Sequence, residues 1–336
     1  MEHSEHTGFI KKIKADLVSL SFLGFICLST GLFFSSCGNK PNNGEDTDTP
    51  TTGKKTIVVD ATFKPIIEEE IDVFQNDYKY AFITPKYKTE NEAFNDLFKD
   101  SVDVILVTRG LSVKEKKFFE DKKMFPVETK VAYDGLALIV NNKNVDTMIT
   151  VKDVEKILTG QITKWSQLNP GSKLGDIKVA FDNKNSSTVR FAVDSICKGK
   201  ELSPNLSALN TNPDVIDYVS KTEGAIGIMG VNWVSNKSDS TALSFLDKIK
   251  VMAISKAEKA TYENSFQPFQ AYIANKTYPF IRSVYMINAE GRAGLGLGFI
   301  GFVAGDKGQR IIKRAGLLPA NVNIVIKVQL KDDYPQ

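Results

Sequence analysis

The chain has 336 residues, of which 42% are hydrophobic and 25% charged. These proportions are typical of a globular protein, so a mostly disordered chain is excluded, and the length fits two domains of ordinary size. Lys and Arg together number 43 and Asp and Glu 40, which gives a net charge of +3. The near balance of basic and acidic residues argues against a nucleic-acid-binding protein, because such proteins carry a strongly basic face.

The N-terminus has the pattern of an export signal. Three lysines within residues 11–14 precede an apolar stretch over residues 17–34, which is followed by two serines and Cys37. A basic start, an apolar run and small residues before a cleavage point are typical of a signal peptide. The two serines and Cys37 resemble a lipobox, so we expect residues 1–36 to be removed and Cys37 to carry a lipid. The alternative is a retained transmembrane helix, since about 18 apolar residues approach the length of a bilayer span.

Cleavage before Cys37 would restrict the chemistry of the mature chain. His3 and His6 would be lost, and Cys197 would be the one cysteine left without a lipid. Serine–histidine and cysteine–histidine nucleophiles and a His/Cys zinc site are then impossible. Glycoside hydrolysis by two carboxylates stays open, although no pairing of acidic residues indicates it. We therefore expect no enzyme activity, no metal and no cofactor.

Residues 37–55 are predicted to form a flexible tether, because they are polar and lack large apolar side chains. Beyond the tether, short apolar runs alternate with segments of helical pattern, which is typical of parallel α/β units. The predicted strands cover residues 57–59, 81–83, 102–107, 136–140 and 177–181. The first predicted helix ends near residue 75. Further helices are predicted over residues 91–99, 112–121 and 150–158, and another passes through residues 191 and 196.

Ligands of such sheets bind beyond the carboxyl ends of the strands. The loops at Thr62 and at Thr108-Arg109 are therefore candidate binding loops. A third follows the strand at 177–181, where Ser186, Ser187 and Thr188 open a helix whose free amides and dipole favour an anion. The alternative is that these hydroxyl groups only cap the helix.

Several segments, taken in order, resemble a known family. The segments are 61–65 (ATFKP), 158–168 (LTGQITKWSQL), 185–190 (NSSTVR), 223–230 (EGAIGIMG), and 278–287 (YPFIRSVYMI) with 308–319 (GQRIIKRAGLLP). They resemble the phosphate-binding proteins that serve ABC importers, which belong to the two-lobed periplasmic binding proteins. The glycine-rich series 294–301 looks like a phosphate loop, but its interleaved apolar residues favour close packing.

The resemblance implies an α/β fold of two lobes, each a mainly parallel sheet flanked by helices, with the ligand in the cleft between them. The chain would cross between the lobes twice, first near residues 133–139 and again between about 251 and 271. Lobe one would then combine residues 54–135 with 268–330. Lobe two would comprise residues 136–267, including the return crossing.

The resemblance also implies ligand-binding residues. The positions that match are Thr62, Phe63, Thr108, Ser186, Ser187 and Thr188. Arg109 follows Thr108, and we expect its guanidinium to give the oxyanion a bidentate pair of hydrogen bonds. The alternative for Arg109 is an ion pair with a helix carboxylate.

This sequence departs from the family pattern at charged positions. Asp182 stands where the family commonly has an arginine, and Glu90 lies where a serine-rich loop is expected. A carboxylate that faces a dianion repels it unless a proton or cation intervenes. Lys184 either restores a positive charge near Asp182 or faces solvent. The departures leave open which oxyanion is bound.

The function that the resemblance implies is that of a solute-binding protein, lipid-anchored outside the cytoplasm. It would capture phosphate or a related oxyanion and deliver it to the membrane subunits of an ABC importer. We expect it to be a monomer, held to the membrane by its lipid, with no nucleic-acid partner. The alternative is a two-lobed lipoprotein with a degraded cleft that acts in sensing, adhesion or scaffolding.

Overall fold

The computed structural model describes residues 48–235 and 249–321. The predicted signal peptide, Cys37 and the tether up to residue 47 lie outside the described residues. None of the helices within these ranges is long and apolar enough to cross a membrane. Residues 48–55, which the sequence assigns to the tether, are part of the fold. The Asp48 carboxylate accepts a hydrogen bond from the Leu295 amide, and the first strand begins at Gly53.

Strands and helices alternate through most of the described residues, as predicted. The strands are β1 (Gly53–Asp60), β2 (Ala81–Lys88), β3 (Val104–Val107), β4 (Val127–Asn141), β5 (Met148–Thr150), β6 (Lys178–Phe181), β7 (Ser207–Ala208), β8 (Ala225–Gly230), β9 (Ile249–Val251), β10 (Ala253–Ser255), β11 (Ser265–Phe266), β12 (Ile281–Asn288) and β13 (Leu318–Pro319). The helices are α1 (Lys64–Asp77), α2 (Glu90–Phe98), α3 (Val113–Asp121), α4 (Val151–Leu158), α5 (Trp165–Leu168), α6 (Ser187–Phe191), α7 (Asn212–Lys221), α8 (Asn232–Ser235), α9 (Gln270–Ala274), α10 (Leu295–Ala304) and α11 (Asp306–Arg314). A 3₁₀ turn at Ala61–Phe63 precedes α1, and a π turn at Ala192–Ile196 continues α6.

One long strand joins two halves of the main sheet, whose strand order is β2-β1-β3-β12-β4-β8-β6-β7. Strand β4 pairs with β12 up to Gly135 and with β8 from Leu136 onward. We call β2, β1, β3, β12 and the first part of β4 the first half-sheet, and the rest of β4 with β8, β6 and β7 the second half-sheet. Pairing is parallel among β2, β1 and β3 and among β8, β6 and β7, whereas β12 and β4 run antiparallel to their neighbours. The fold is thus the predicted α/β class with two sheet-bearing parts.

The chain returns to the first half-sheet beside the point where β4 leaves it. The Leu136 amide donates to the Phe280 carbonyl at 2.9 Å, and the Tyr278 hydroxyl donates to the Leu136 carbonyl. A Cβ atom at Gly135 would lie 3.0 Å from side-chain carbons of both Pro268 and Ile273. Glycine at 135 therefore lets the two connecting stretches lie side by side.

Capping residues determine where several helices begin. Thr89 and Ser112 form capping boxes with Glu92 and Glu115, so α2 and α3 start at defined residues. The glycine-rich series becomes α10, whose Leu295, Phe299 and Ile300 are buried in the core. Close packing accounts for two of these glycines, because a Cβ at Gly296 would lie 2.7 Å from Val104 Cγ2 and one at Gly298 would clash with the Pro50 backbone, whereas a Cβ at Gly301 would meet nothing within 4 Å.

Candidate functional site

A cavity of ≈ 670 Å³ lies beyond the carboxyl ends of β1, β2 and β6. This is the edge at which the sequence predicts a ligand, because strand ends and helix starts meet there. Residues from the strand ends, loops and helices on both half-sheets line this cavity. They are Asp60, Ala61, Lys64, Pro65, Glu68, Tyr87, Lys88, Thr89 and Glu92 from the first, and Asp182, Asn183, Ser186, Asn210, Thr211, Asn212, Pro213 and Trp233 from the second.

A buried arginine lies at the junction of the two half-sheets. Arg282 on β12 is the register partner of Asp134 on β4, and its Nε donates to Asp134 Oδ2 at 2.8 Å. Its Nη1 donates to the Ser187 hydroxyl of α6 at 2.9 Å. We call these three residues the Arg282 cluster. Arg282 is only 4% exposed, yet its Nη2 has no hydrogen-bond partner among the described residues.

The hydroxyls of Thr62 and Thr188 are also buried without a partner in the described part of the chain. Thr188 follows Ser187 directly. Thr62 is placed by Gly230, since a Cβ there would lie 2.9 Å from Thr62 Cγ2 and 3.2 Å from Asp134 Oδ2. The ring of Phe63 lies under the Arg282 guanidinium, 5.4 Å from its centroid. Unsatisfied buried donors are rare in native proteins, so three together call for an explanation.

The acidic side chains beside the cavity are buried as well. Asp60 and Asp182 are 1% and 4% exposed, and each has one carboxylate oxygen without a partner among the described residues. Burial raises the pKa of Asp60 to about 6 and raises the pKa of Asp182, while Arg282 opposes both shifts. Burial also raises the pKa of Asp134, although Arg282 holds that carboxylate directly. The site therefore combines hydrogen-bond donors with acids that ionise less readily than usual.

A second arginine crosses between the half-sheets and is fully engaged. Arg190 on α6 donates from Nε to Glu90 Oε2 at 2.5 Å and from Nη2 to the Thr108 hydroxyl at 2.8 Å. The amide and hydroxyl of Thr108 both donate to Glu90 Oε1, at 2.7 and 2.8 Å. We call Glu90, Thr108 and Arg190 the Arg190 cluster. Within it, Thr108 has no donor left for a ligand.

Arg109 follows Thr108 in the chain, but its side chain makes its contacts outside both clusters. Its guanidinium makes a bidentate pair with Glu115, at 2.8 and 2.9 Å, and stacks 3.7 Å from the centre of the Phe94 ring. The structure thus shows the alternative stated from the sequence, an ion pair with a helix carboxylate. Lys184 is exposed.

The structure therefore brings together some of the predicted site residues and separates others. Phe63 and Ser187 contact Arg282, whereas Thr62 lies against Gly230 near Asp134 and Thr188 follows Ser187 on α6. None of these four residues is among those that line the cavity. Ser186 lines the cavity and accepts a hydrogen bond from the Val189 amide at 3.3 Å, so it also caps α6.

Sequence reasoning missed the residues that carry the charge of the site. Arg282 and Asp134 lie on strands that carry other polar residues as well, so no local pattern singled them out. Asp60, Asn212 and Arg190 gave no signal either. In the described ranges, no group of three or more His, Cys, Asp or Glu side chains could hold a metal ion.

Comparisons with known proteins agree with this geometry. Residues 44–307 match a family model described as a PBP superfamily domain. The chain is 26% identical over 308 residues to the phosphate-binding protein PstS of Staphylococcus aureus (strain USA300), covering 89% of this chain and 88% of the relative. Its fold is similar to that of a Clostridium perfringens protein with bound phosphate (TM-score 0.66, 22% identity, 80% of this chain and 100% of the other). It is also similar to an ABC-type phosphate transport receptor from Vibrio cholerae (TM-score 0.60, 20% identity, 80% and 100%).

Proposed function

This chain belongs to the PBP superfamily, and from that membership we propose that it is an extracytoplasmic solute-binding protein. It captures phosphate or a related oxyanion between two lobes and delivers it to an ABC importer. In this role it carries out no catalysis. The names of its relatives, which include phosphate-binding proteins and a phosphate transport receptor, support the choice of ligand.

The observation that carries this proposal is the set of unpartnered donors around Arg282. Arg282 Nη2 and the hydroxyls of Thr62 and Thr188 are buried without partners among the described residues. A guanidinium and hydroxyl groups are the donors that suit an oxyanion, because charge-assisted hydrogen bonds to its oxygens are strong. We therefore assign to Arg282 the role that the sequence gave to Arg109.

The acids beside these donors bear on the protonation state of the ligand. Asp60 and Asp182 each have one unpartnered oxygen, which accepts a hydrogen bond from a protonated oxyanion and repels an unprotonated dianion. A ligand that keeps a proton, such as a hydrogen phosphate, therefore fits better than sulfate. The unpaired carboxylates of Asp60 and Asp182 also favour the second candidate function, that of a two-lobed lipoprotein whose cleft no longer binds a ligand.

We propose that residues 54–135 with 268–330 form lobe one and residues 136–267 lobe two. The pairing of β12 with β3 and β4 supports placing the later segment in the first lobe. The adjacent stretches at Gly135 and Phe280 would then be the hinge, and closure would be a hinge motion of the kind known for periplasmic binding proteins.

The anchor is proposed from the sequence. We propose that residues 1–36 are removed, that residues 37–47 form the tether, and that a lipid on Cys37 holds a monomer at the outer face of a bacterial membrane. Cys37→Ala should release the protein from the membrane fraction or block processing. An unaltered mass and membrane fraction would contradict the proposal.

The experiment that tests the binding function is a thermal shift screen with phosphate, sulfate, tungstate and molybdate, followed by calorimetry. A ligand that binds only the folded state raises the apparent stability by mass action. We expect phosphate, which keeps a proton, to raise the melting temperature more than sulfate, tungstate or molybdate do, and Thr62→Val to reduce that rise. Thr163→Val, at an exposed position outside the cavity, is the matched control. The absence of a shift with every oxyanion at millimolar concentration would favour the degraded cleft.

A further inference from the structure

The loops that lead into the strands of the first half-sheet all lie at one end of it. Strands β1, β2 and β3 are parallel, and β4 runs in the same direction because both β3 and β4 pair antiparallel with β12. These loops, and the one that leaves β12, therefore lie opposite the carboxyl ends at which the cavity is found. We call this the entry end, and its loops are residues 48–52, 78–80, 99–103, 122–126 and 289–294.

The chain enters the fold at this end. The first described residue, Asp48, accepts a hydrogen bond from the Arg292 guanidinium at 2.7 Å. A few residues later, the Gly53 amide donates to the Tyr80 carbonyl at 2.8 Å. The proposed tether therefore joins the fold at the entry end.

Aromatic side chains at the entry end are exposed to solvent. Tyr80 is 75% exposed and Phe125 is 74% exposed. Three strands separate β2 from β4, so the two rings stand about 20 Å apart at the usual spacing between strands. Such rings are favoured at the boundary between lipid headgroups and acyl chains, and two of them so far apart can seat a flat surface.

The unpaired charge at the entry end is mainly positive. Three of the four acids in its loops form ion pairs, since Asp48 binds Arg292 while Asp103 and Glu290 bind Lys55. Four exposed lysines of the same loops form no ion pair among the described residues: Lys79, Lys99, Lys122 and Lys123. Lysines close to a bilayer are attracted by its anionic headgroups.

The proposed tether keeps this end close to the bilayer. Residues 37–47 span at most about 40 Å when fully extended, so a lipid on Cys37 confines Asp48 to that distance from the membrane. A surface held so close meets the membrane at a high effective concentration. Weak contacts are then enough to dock it.

We propose that the entry end rests on the lipid surface that carries the anchor. Tyr80 and Phe125 lie among the headgroups, and the four lysines lie against anionic lipid. The cavity then points away from the bilayer, where it is open to solute. This inference rests on the proposed lipid anchor at Cys37 and is independent of which ligand the protein binds.

Fluorescence quenching on vesicles tests the inference. The processed, lipidated chain is added to vesicles of phosphatidylcholine and phosphatidylglycerol that contain a lipid with a quencher on its headgroup. A thiol-reactive dye is attached after Ser101→Cys at the entry end or, as the control position, after Lys184→Cys next to the cavity. Both positions are exposed, whereas Cys197 is buried. We expect strong quenching at position 101 and little at position 184, and less at position 101 at high salt, which screens the lysines.

The double variant Tyr80→Ser with Phe125→Ser should abolish the quenching at position 101. The protein should still sediment with the vesicles, because its lipid is unchanged. Tyr262→Ser is the matched control, since Tyr262 is 88% exposed between β10 and β11, outside the entry end; it should leave the quenching as it is. Unchanged melting temperatures would show that both variants fold.

The outcomes separate this inference from the anchor on which it rests. Equal or stronger quenching at position 184, no quenching at either position, or quenching that survives the double variant would overturn the inference, while sedimentation with the vesicles upholds the anchor. If quenching is absent and the protein is a dimer in solution, the entry end belongs to a second copy of the chain. Protein that stays out of the vesicle fraction would contradict the anchor and the inference together.

Discussion

The two arginines that cross the junction between the half-sheets are held differently. In the Arg190 cluster, the Glu90 carboxylate takes both donors of Thr108 and one of Arg190, so the contact is complete within the protein. In the Arg282 cluster, Asp134 and Ser187 take two of the guanidinium nitrogens and Nη2 is left without a partner in the described residues. Both contacts link the same helix, α6, to the first half-sheet.

In the proposed function, this difference separates a structural contact from a binding site. A buried polar group without a partner costs free energy, and a bound oxyanion would remove that cost at Arg282 Nη2. The Arg190 cluster needs nothing further and can hold the half-sheets together. In the proposed function, a ligand completes the Arg282 cluster.

The largest effect is expected from breaking the Arg282–Asp134 pair. Both side chains are almost fully buried, 2% and 0% exposed. Arg282→Gln leaves Asp134 as an uncompensated buried charge, which should cost about 3–5 kcal/mol of stability and abolish oxyanion binding. Chemical denaturation and calorimetry measure the two effects.

A double variant separates folding from binding in this experiment. Arg282→Gln with Asp134→Asn removes both charges, so most of the stability should return while binding stays lost. Binding by the double variant at parental affinity would show that Arg282 is not an anion ligand.

Glu70 extends the comparison of the two clusters, because its buried carboxyl group has no hydrogen-bond partner among the described residues although it lies outside the proposed binding site. It is fully buried on α1, does not line the cavity, and both its oxygens are without partners in the described ranges. Burial alone raises its pKa from 4.5 to about 9. The folded state therefore keeps a proton that the unfolded state loses, and stability should fall as the pH rises from about 4.5 to about 9.

Glu70→Gln should remove that pH dependence. The variant should match the parent near pH 4.5 and be more stable by about 3 kcal/mol at pH 7, since each pKa unit corresponds to 1.36 kcal/mol. Denaturation at the two pH values is the measurement. A variant that loses stability at pH 7, or loses oxyanion binding, would mean that Glu70 has a partner or a role in the site.

A pair of threonine variants compares the two clusters directly. Thr188 has an unused hydroxyl, whereas the Thr108 hydroxyl is bonded to Glu90 and Arg190. Thr188→Val should weaken oxyanion binding by roughly tenfold without loss of stability, and Thr108→Val should lower stability by about 1–3 kcal/mol. Calorimetry measures the oxyanion affinity of both variants, and thermal melting measures their stability. The reverse result would exchange the roles assigned to the two clusters.

The smallest effect is expected at Arg109. Its pair with Glu115 is partly exposed, with side chains 31% and 19% accessible. Such pairs contribute about 0–1 kcal/mol, so Arg109→Ala should change stability little and leave the affinity for oxyanion within about twofold. A tenfold loss of affinity would restore the role first expected from the sequence.

The alternation of strands and helices, the helix caps and the loop at Thr62 could be read from the sequence because they depend on neighbouring residues. Arg282 could not be assigned in this way. Its partner Asp134 is 148 residues away, and the two meet because β12 pairs antiparallel with β4. A local pattern carries no information on that pairing.

The pairing of Arg109 with Glu115 has a local cause. Arg109 follows the end of β3, the position from which a ligand is usually reached. However, the capping box of α3 places Glu115 close to Ser112, within reach of the guanidinium. The spacing Ser-x-x-Glu after Arg109 was a readable signal for an ion pair.

The most direct measurement is a crystal structure with arsenate in place of phosphate, because arsenate keeps a proton at neutral pH as phosphate does and the anomalous scattering of arsenic locates the anion. The account predicts one strong peak within hydrogen-bond distance of Arg282 Nη2 and of the Thr62 and Thr188 hydroxyls, with the Glu90–Arg190 pair intact. A peak at Arg109, or one that displaces Glu90 from Thr108, would contradict it.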